Sequence, residues 1–322
     1  MLKLSKCLIG AIFAAAATTA GAATWNMATP YPDATFHTQN IYKFADDVKA
    51  ATDGALEIRV HSAGSLFKHP QIKRAVQTGQ VQAGEVFISI LGNEDPIYTV
   101  DSIPFLATSY DDAERLWKAS RDAIESRLKA DGLMLLYAVP WPAQGLYTSK
   151  DVKSVADLKG LKFRAYNAAT SRLAELTGMT PTQVEVPEIP QAFATGIVEA
   201  MITSPSTGAN SKAWDFVDRF YDIQAWLPKN MVIINRRAFD ALDQDTRQAV
   251  LDAAKKAEDR GWEMSRNEAS AKKKILEENG MKVLKPSDKL MEGLSKVGKT
   301  MTSEWLEKTG KDGQAIIDAY RR

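Results

Sequence analysis

The apolar positions of this chain change period repeatedly, and each change predicts an element. Over residues 40–52, Ile41, Phe44, Ala45 and Val48 fall on one helical face, which predicts an amphipathic helix. Residues 55–60 (ALEIRV) alternate apolar and charged side chains, the period of a half-buried strand. Residues 70–78 predict a second helix, closed at Gly79. Residues 111–131 return to the helical period with Ala113, Leu116, Trp117, Ile124 and Leu128 facing inward. Residues 133–139 (LMLLYAV) are continuously apolar, as in a strand covered on both faces. Strands alternating with helices predict an α/β fold of mixed, mostly parallel sheets with helices packed outside.

The remainder has a different texture. Residues 157–206 read as a short strand ending at Arg164, a turn, a helix, and a second short apolar run at 198–202. Residues 243–279 are almost entirely helix formers, with Ala249, Val250, Ala253, Ala254, Ala257, Trp262 and Met264 recurring every three or four positions. A helix of that length exceeds the globular norm. Gly261 is its one interruption, costing about 1 kcal/mol against Ala, so two helices broken near Gly261 is the alternative reading. Residues 303–320 read as a terminal packing helix.

The first 22 residues change the picture of composition. Lys3 and Lys6 precede an apolar core at 8–17 and a small-x-small site, Ala20-Gly21-Ala22. This is the form of an export signal, too short to span a bilayer; Cys7 lies before the core, and no lipobox precedes the cleavage site. Its removal takes the basic residues from 41 to 39 against 40 acids, a net charge of −1, and takes the only cysteine. A near-neutral surface argues against a nucleic-acid partner. Without cysteine there are no disulfides, thiolate chemistry or cysteine zinc sites. The roughly 300 remaining residues exceed one ordinary core, so two domains are expected.

Candidate chemistry centres on Arg164. A guanidinium at the end of a strand, just before a helix, sits where α/β folds place ligand contacts, and its planar fork holds a carboxylate by two parallel bonds. The run Leu158-Lys159-Gly160-Leu161-Lys162-Phe163-Arg164 resembles the strand that carries the carboxylate-clamping arginine in the solute-binding proteins of tripartite ATP-independent periplasmic (TRAP) transporters, dicarboxylate-binding type. The resemblance extends through 29–46 (TPYP…H…FAD), 64–86 (GSLFKHPQIKRAVQTGQVQAGEV), 104–117 (PFLATSYDDAERLW) and 195–201 (TGIVEAM). It implies a two-lobed periplasmic binding fold with a long helix linking the lobes: lobe I at 23–140 plus 232–268, lobe II at 141–231 plus 269–322.

The resemblance also implies an interlobe site. Arg164 would fix the carboxylate. Gln144 stands where some sialic-acid-binding relatives have a second arginine, which points to a monocarboxylate such as a 2-hydroxy or 2-oxo acid. Phe87, Trp141 and Trp214 are candidate apolar walls. Thr203 and Ser204, with Ser206 beside them, and Asn167 are candidate hydrogen-bonding groups that could equally be turn or helix-cap residues. Lys68 and Lys229 are the alternative cations should Gln144 not read the far end. Glu185 and Glu188 are indistinguishable by spacing from surface charge. His37, His61 and His69 are not spaced as a metal pair, and no GxSxG, HExxH or phosphate loop is present. The expected protein is therefore a periplasmic binder, not an enzyme, with a small carboxylate and a TRAP membrane permease as partners. No cofactor is expected, although the sequence leaves open a calcium or sodium site of carbonyls and carboxylates. The competing readings are the binding protein of an ATP-driven importer, a periplasmic enzyme acting on acidic substrates, and a sensor subunit.

Overall fold

The computed structural model describes residues 23–322; the export signal read at 1–22 lies outside the described residues. The chain opens with β1 (Ala23–Ala28), α1 (Phe36–Ala51), β2 (Leu56–His61), α2 (His69–Gln77) and β3 (Ala83–Phe87). Two 3-10 segments, Ile88–Asn93 and Pro96–Ser102, lead into α3 (Tyr110–Ala130) and β4 (Leu133–Pro140). The chain then crosses to β5 (Gly145–Thr148), β6 (Lys162–Ala165), α4 (Ala168–Leu176), β7 (Thr180–Gln183), α5 (Ile189–Ala194), β8 (Ala200–Thr203), α6 (Pro205–Asn210) and β9 (Arg219–Tyr221). It returns through β10 (Lys229–Asn235) and α7 (Arg236–Asp240), and closes with α8 (Gln244–Glu278), β11 (Lys282–Leu284) and α9 (Asp288–Tyr320).

Two sheets result, one per lobe. The first has strand order β2-β1-β3-β10-β4 and the second β11-β9-β5-β8-β6-β7. Parallel pairings are a bare majority, because β10 runs antiparallel to both β3 and β4, and β5 antiparallel to both β8 and β9. These are the strands on either side of the two crossings between lobes. A strand that enters from the other lobe does not need a helical crossover, so it can lie antiparallel to its neighbours.

The local signals act as the pattern predicts. α1 buries Ile41, Phe44, Ala45 and Val48 on one face. Ser109 caps α3 by accepting from the Asp112 amide, with Asp111 and Asp112 in the positive first turn. β4 is buried along nearly its whole length between helices on both faces. α8 is one unbroken helix, capped by Asp243, which accepts from the Thr246 amide. Gly261 does not break it. A Cβ at that position would collide with the side chains of Val139 and Asn40, so the glycine serves the close approach of α8 to β4 and α1.

Two sequence-level boundaries move. β10 starts at Lys229 rather than at residue 232, so lobe I resumes slightly earlier. The C-terminal tail, expected wholly in lobe II, divides. Leu290, Leu294 and Met301 of α9 join the core beneath the second sheet, whereas Trp305, Ile316 and Ile317 join the core beneath the first. The separate terminal helix read at 303–320 is the second half of α9, which bends at Gly310. Two long helices therefore link the lobes where one was expected. No helix among the described residues is long and apolar enough to cross a membrane.

Candidate functional site

The carboxyl ends of β1, β3, β4, β6, β7 and β8 converge on one cleft between the lobes. A partly open cavity lies there, lined by Tyr31, His69, Phe87, Ile90, Trp141, Gln144, Arg164, Tyr166, Glu185, Val186, Thr203 and Thr207. The lobes meet across it. Asn167 Nδ2 of lobe II donates to Ser89 Oγ of lobe I at 2.8 Å, and the Phe87 and Tyr166 rings touch edge to face, their centroids 5.7 Å apart.

Arg164 sits third on β6, whose Phe163 and Arg164 pair in parallel with Ala200 and Met201 of β8. Its side chain is 2 % exposed. Nε donates to the Val184 carbonyl at 2.9 Å, and the guanidinium carbon stands 4.8 Å from the centroid of the Tyr166 ring. Burial lowers its pKa to about 10, opposed by Tyr166, Glu185 and Tyr31, so the group remains a cation at neutral pH. Among the described residues no carboxylate lies within ion-pair distance of it; Arg164 is also the only cationic side chain on the cavity wall. An unpaired guanidinium in a dry cleft is costly until an anion joins it.

Gln144 is buried at 3 % exposure beside the crossing from β4 to β5. Its backbone pairs with the returning segment: the amide donates to Trp226 O at 3.0 Å and the carbonyl accepts from Ala225 N at 2.9 Å. Its Oε1 accepts from the Tyr166 hydroxyl, and that hydroxyl accepts from Trp226 Nε1. Thr203 ends β8 opposite Gly145 and reaches the wall.

The aromatic wall belongs mainly to lobe I, and a buried polar network holds it. Trp141 Nε1 donates to Asn230 Oδ1 at 2.9 Å, and the Tyr31 hydroxyl donates to the same atom at 3.5 Å. Asn230 Nδ2 donates to Glu85 Oε1 at 2.6 Å, while the Thr29 hydroxyl donates to the other carboxylate oxygen. Glu85 lies two residues before Phe87 on β3, on the same face. Burial pushes its carboxyl up to about 7 and holds His37 well below its usual range. His37 is thus neutral, and its 3.6 Å approach to Glu85 is not an ion pair. His69 is neutral too: burial lowers it to about 4, and its Nε2 accepts from the Phe87 amide at 3.0 Å. Its proton therefore resides on Nδ1.

The structure gathers five of the eight sequence candidates on or beside the cavity as wall groups or cleft contacts: Arg164, Gln144, Thr203, Phe87 and Trp141 line it. Asn167 caps α4, accepting from Thr170 N at 2.8 Å, and supplies the interlobe bond described above without lining the cavity. Ser204 caps α6 by accepting from Thr207 N at 3.0 Å, and it also stands behind the wall. Trp214 packs against the core around Tyr147 and Phe220, away from the cleft. Of the alternative cations, Lys68 is exposed ahead of α2, and Lys229 is buried under the hinge, 4.0 Å from Asp101 and between the Trp117 and Trp262 rings.

Tyr31, Ile90, Tyr166, Val186 and Thr207 also line the cavity without having been singled out, as do His69, noted only for lacking metal-pair spacing, and Glu185, noted only as indistinguishable from surface charge. Glu185 follows β7, whose sequence Thr-Pro-Thr-Gln carries no apolar alternation. Only the parallel register with β6, Arg164 opposite Thr182, brings Glu185 to the same strand-end rim. Among the described residues, no group of three or more His, Cys, Asp or Glu is placed to hold a metal ion.

The sequence matches the family described as bacterial extracellular solute-binding protein, family 7, over residues 27–309. The structure superposes with TM-score 0.92 on the Bordetella pertussis extracytoplasmic solute receptor DctP7, which binds pyroglutamic acid; the two are 52% identical over 94% of this chain and 100% of that one. DctP6 of the same organism, also binding pyroglutamic acid, gives TM-score 0.91 at 46% identity, covering 92% of this chain and 99% of the other. A marine metagenome TRAP solute-binding protein specific for pyroglutamate gives TM-score 0.91 at 45% identity over 93% and 99%.

Proposed function

The chain belongs to the bacterial extracellular solute-binding proteins of family 7, and from its likeness to pyroglutamate-binding receptors we propose that it captures pyroglutamate, or a closely similar cyclic monocarboxylate, and hands it to a TRAP membrane permease. Its class is that of the periplasmic TRAP receptors for organic acids. The single observation that supports the ligand most is the wall itself: one buried cation, Arg164, without a protein carboxylate partner among the described residues, set among four aromatic rings. A flat five-membered ring carrying one carboxylate suits that arrangement. The carboxylate takes the guanidinium fork. The ring lies against Tyr31, Phe87, Trp141 and Tyr166. Gln144, Thr203 and Thr207 offer donors to the ring carbonyl.

A dianion suits it less well, because its second charge would enter a site with no second cation. The protein acts as a carrier and leaves its ligand chemically unchanged. Closure of the two lobes about the cleft retains the ligand, and reopening at the permease releases it.

Isothermal titration with L-pyroglutamate is the direct test. Saturable binding, with thermal stabilisation of about 2.7 kcal/mol at a hundredfold excess over Kd, is expected. Absence of binding, with tight binding of an acyclic 2-oxo acid or a dicarboxylate in its place, would overturn the ligand.

A further inference from the structure

Among the described residues, Glu185 is the one acidic side chain on the wall that carries Arg164. It stands directly after Val184, whose carbonyl holds Arg164 Nε, so the carboxylate and the guanidinium share a short stretch of the rim. They do not pair: among the described residues Glu185 takes part in no ion pair. Its backbone amide is held by Glu188 Oε2 at 3.1 Å, while its own carboxylate has no side-chain donor among the described residues, only the backbone of its own cap beside it. Burial raises its pKa, and Arg164 pulls it back down. A carboxylate beside an anion site repels the ligand unless the ligand brings a proton donor to it.

We propose that Glu185 is a specificity residue that accepts a hydrogen bond from a ligand N–H next to the carboxylate held by Arg164. This rests on the pyroglutamate reading and deepens it. In pyroglutamate the ring nitrogen is bonded to the same carbon as the carboxylate, so one ligand edge presents an acceptor pair to Arg164 and a donor to Glu185. The ring carbonyl then faces the donors on the opposite side of the wall. A 2-oxo acid presents carbonyl lone pairs at the position of that N–H, directly against a carboxylate. The pair Arg164 and Glu185 therefore selects carboxylates with an adjacent N–H and rejects the 2-oxo acids, which carry the same charge.

The probe is a pair of ligands differing in one atom: L-pyroglutamate and the matching γ-lactone of 2-hydroxyglutarate, in which the ring N–H is replaced by oxygen. Titration of the wild type should give a Kd for the lactone at least ~100-fold weaker than for the lactam, since the half-buried Glu185 carboxylate would face the lone pairs of the lactone oxygen in place of a donor. In Glu185→Gln the ratio should fall below ~10, because the amide can turn its NH₂ toward the lactone oxygen. In Glu185→Ala it should fall likewise. The ratio is read within one protein preparation, so a partly folded variant does not alter it. A wild-type ratio near one, or a ratio unchanged in both variants, would overturn the role of Glu185 while leaving pyroglutamate as the ligand. Failure of the wild type to bind pyroglutamate would overturn the ligand reading, and this assignment with it.

Discussion

The two walls of the cleft are built on different principles. The lobe I wall is aromatic, and a chain of hydrogen bonds ties most of the groups behind it together: Trp141 and Tyr31 hydrogen-bond Asn230, which bonds Glu85, which Thr29 holds in turn, with His37 Nε2 beside them left without a partner among the described residues. The lobe II wall carries the charges, the buried Arg164 and the half-buried Glu185. One wall is a preorganised surface whose polar atoms point away from the ligand; the other displays polar atoms whose partners the ligand must provide. Affinity and discrimination should therefore divide unequally between them, with lobe II groups costing most when removed.

The largest expected effect comes from the cation. Arg164→Ala should weaken pyroglutamate binding by at least ~30-fold, about 2 kcal/mol, because the carboxylate loses its charged partner in a dry site. Arg164→Lys should bind poorly as well, since a point charge does not replace the fork. Near-normal affinity by calorimetry in either variant would sink the clamp. On the opposite wall, Trp141→Ala should cost about tenfold in affinity and also lower the melting temperature, since it removes a buried ring and leaves Asn230 short of a donor. A larger affinity loss than in Arg164→Ala would reverse the division between the walls.

A smaller change should come at the seam. Gln144→Arg should shift preference toward dicarboxylates, by about tenfold in the ratio of matched mono- and dicarboxylate affinities, by supplying the second cation the wall lacks. A wild type that already prefers the dicarboxylate would remove Gln144 from the role.

The smallest effect concerns stability and pH. Glu85 has a folded pKa of about 7 against an ordinary 4.5, chiefly through burial. Raised in the folded state, it binds its proton more tightly there, so its favourable contribution is full below about pH 4.5 and is lost as pH rises through 7. Glu85→Gln should accordingly be more stable than wild type at pH 8, by a few degrees in melting temperature, and the gap should close as pH falls toward 5. A gap independent of pH would mean that the effect is packing rather than ionisation.

The contrast between the walls also explains what the sequence disclosed. Lobe II chemistry lies within one continuous stretch around Arg164, and a charged side chain at a strand end stands out against its apolar neighbours. Lobe I supplies its rings from β1, α2, β3 and β4, far apart in the chain; an isolated Tyr31 looks like any core residue, and Phe87 and Trp141 stood out only through the family resemblance. Trp214 is the converse case, an aromatic that resembled a wall and is core. Asn167 and Ser204 show why hydroxyl and amide side chains mislead: the same atoms that suit a ligand cap α4 and α6. Glu185 was hidden for a different reason, since its position depends on the register of β7 against β6, which a polar strand does not signal. The long helices and, of the first sheet, β2 and β4 were legible because their apolar patterns are regular or continuous; the tail was misassigned because nothing in a helical period says which lobe it packs against.

The two long helices have a consequence for how the molecule comes apart. α8 buries Val250, Ala253, Ala254 and Ala257 in one lobe and Leu276 in the other, and α9 does the reverse, from Leu290 and Leu294 to Trp305, Ile316 and Ile317. Neither lobe can melt alone without stripping the other of half of a helix. A two-lobed chain ordinarily invites stepwise unfolding; this one is laced shut by its own C-terminal third, so heat should open it in a single cooperative transition, with calorimetric and van't Hoff enthalpies equal. Two resolved transitions would show that the lacing yields before the cores do. If it holds, a ligand touching only the cleft stabilises every residue of both lobes at once.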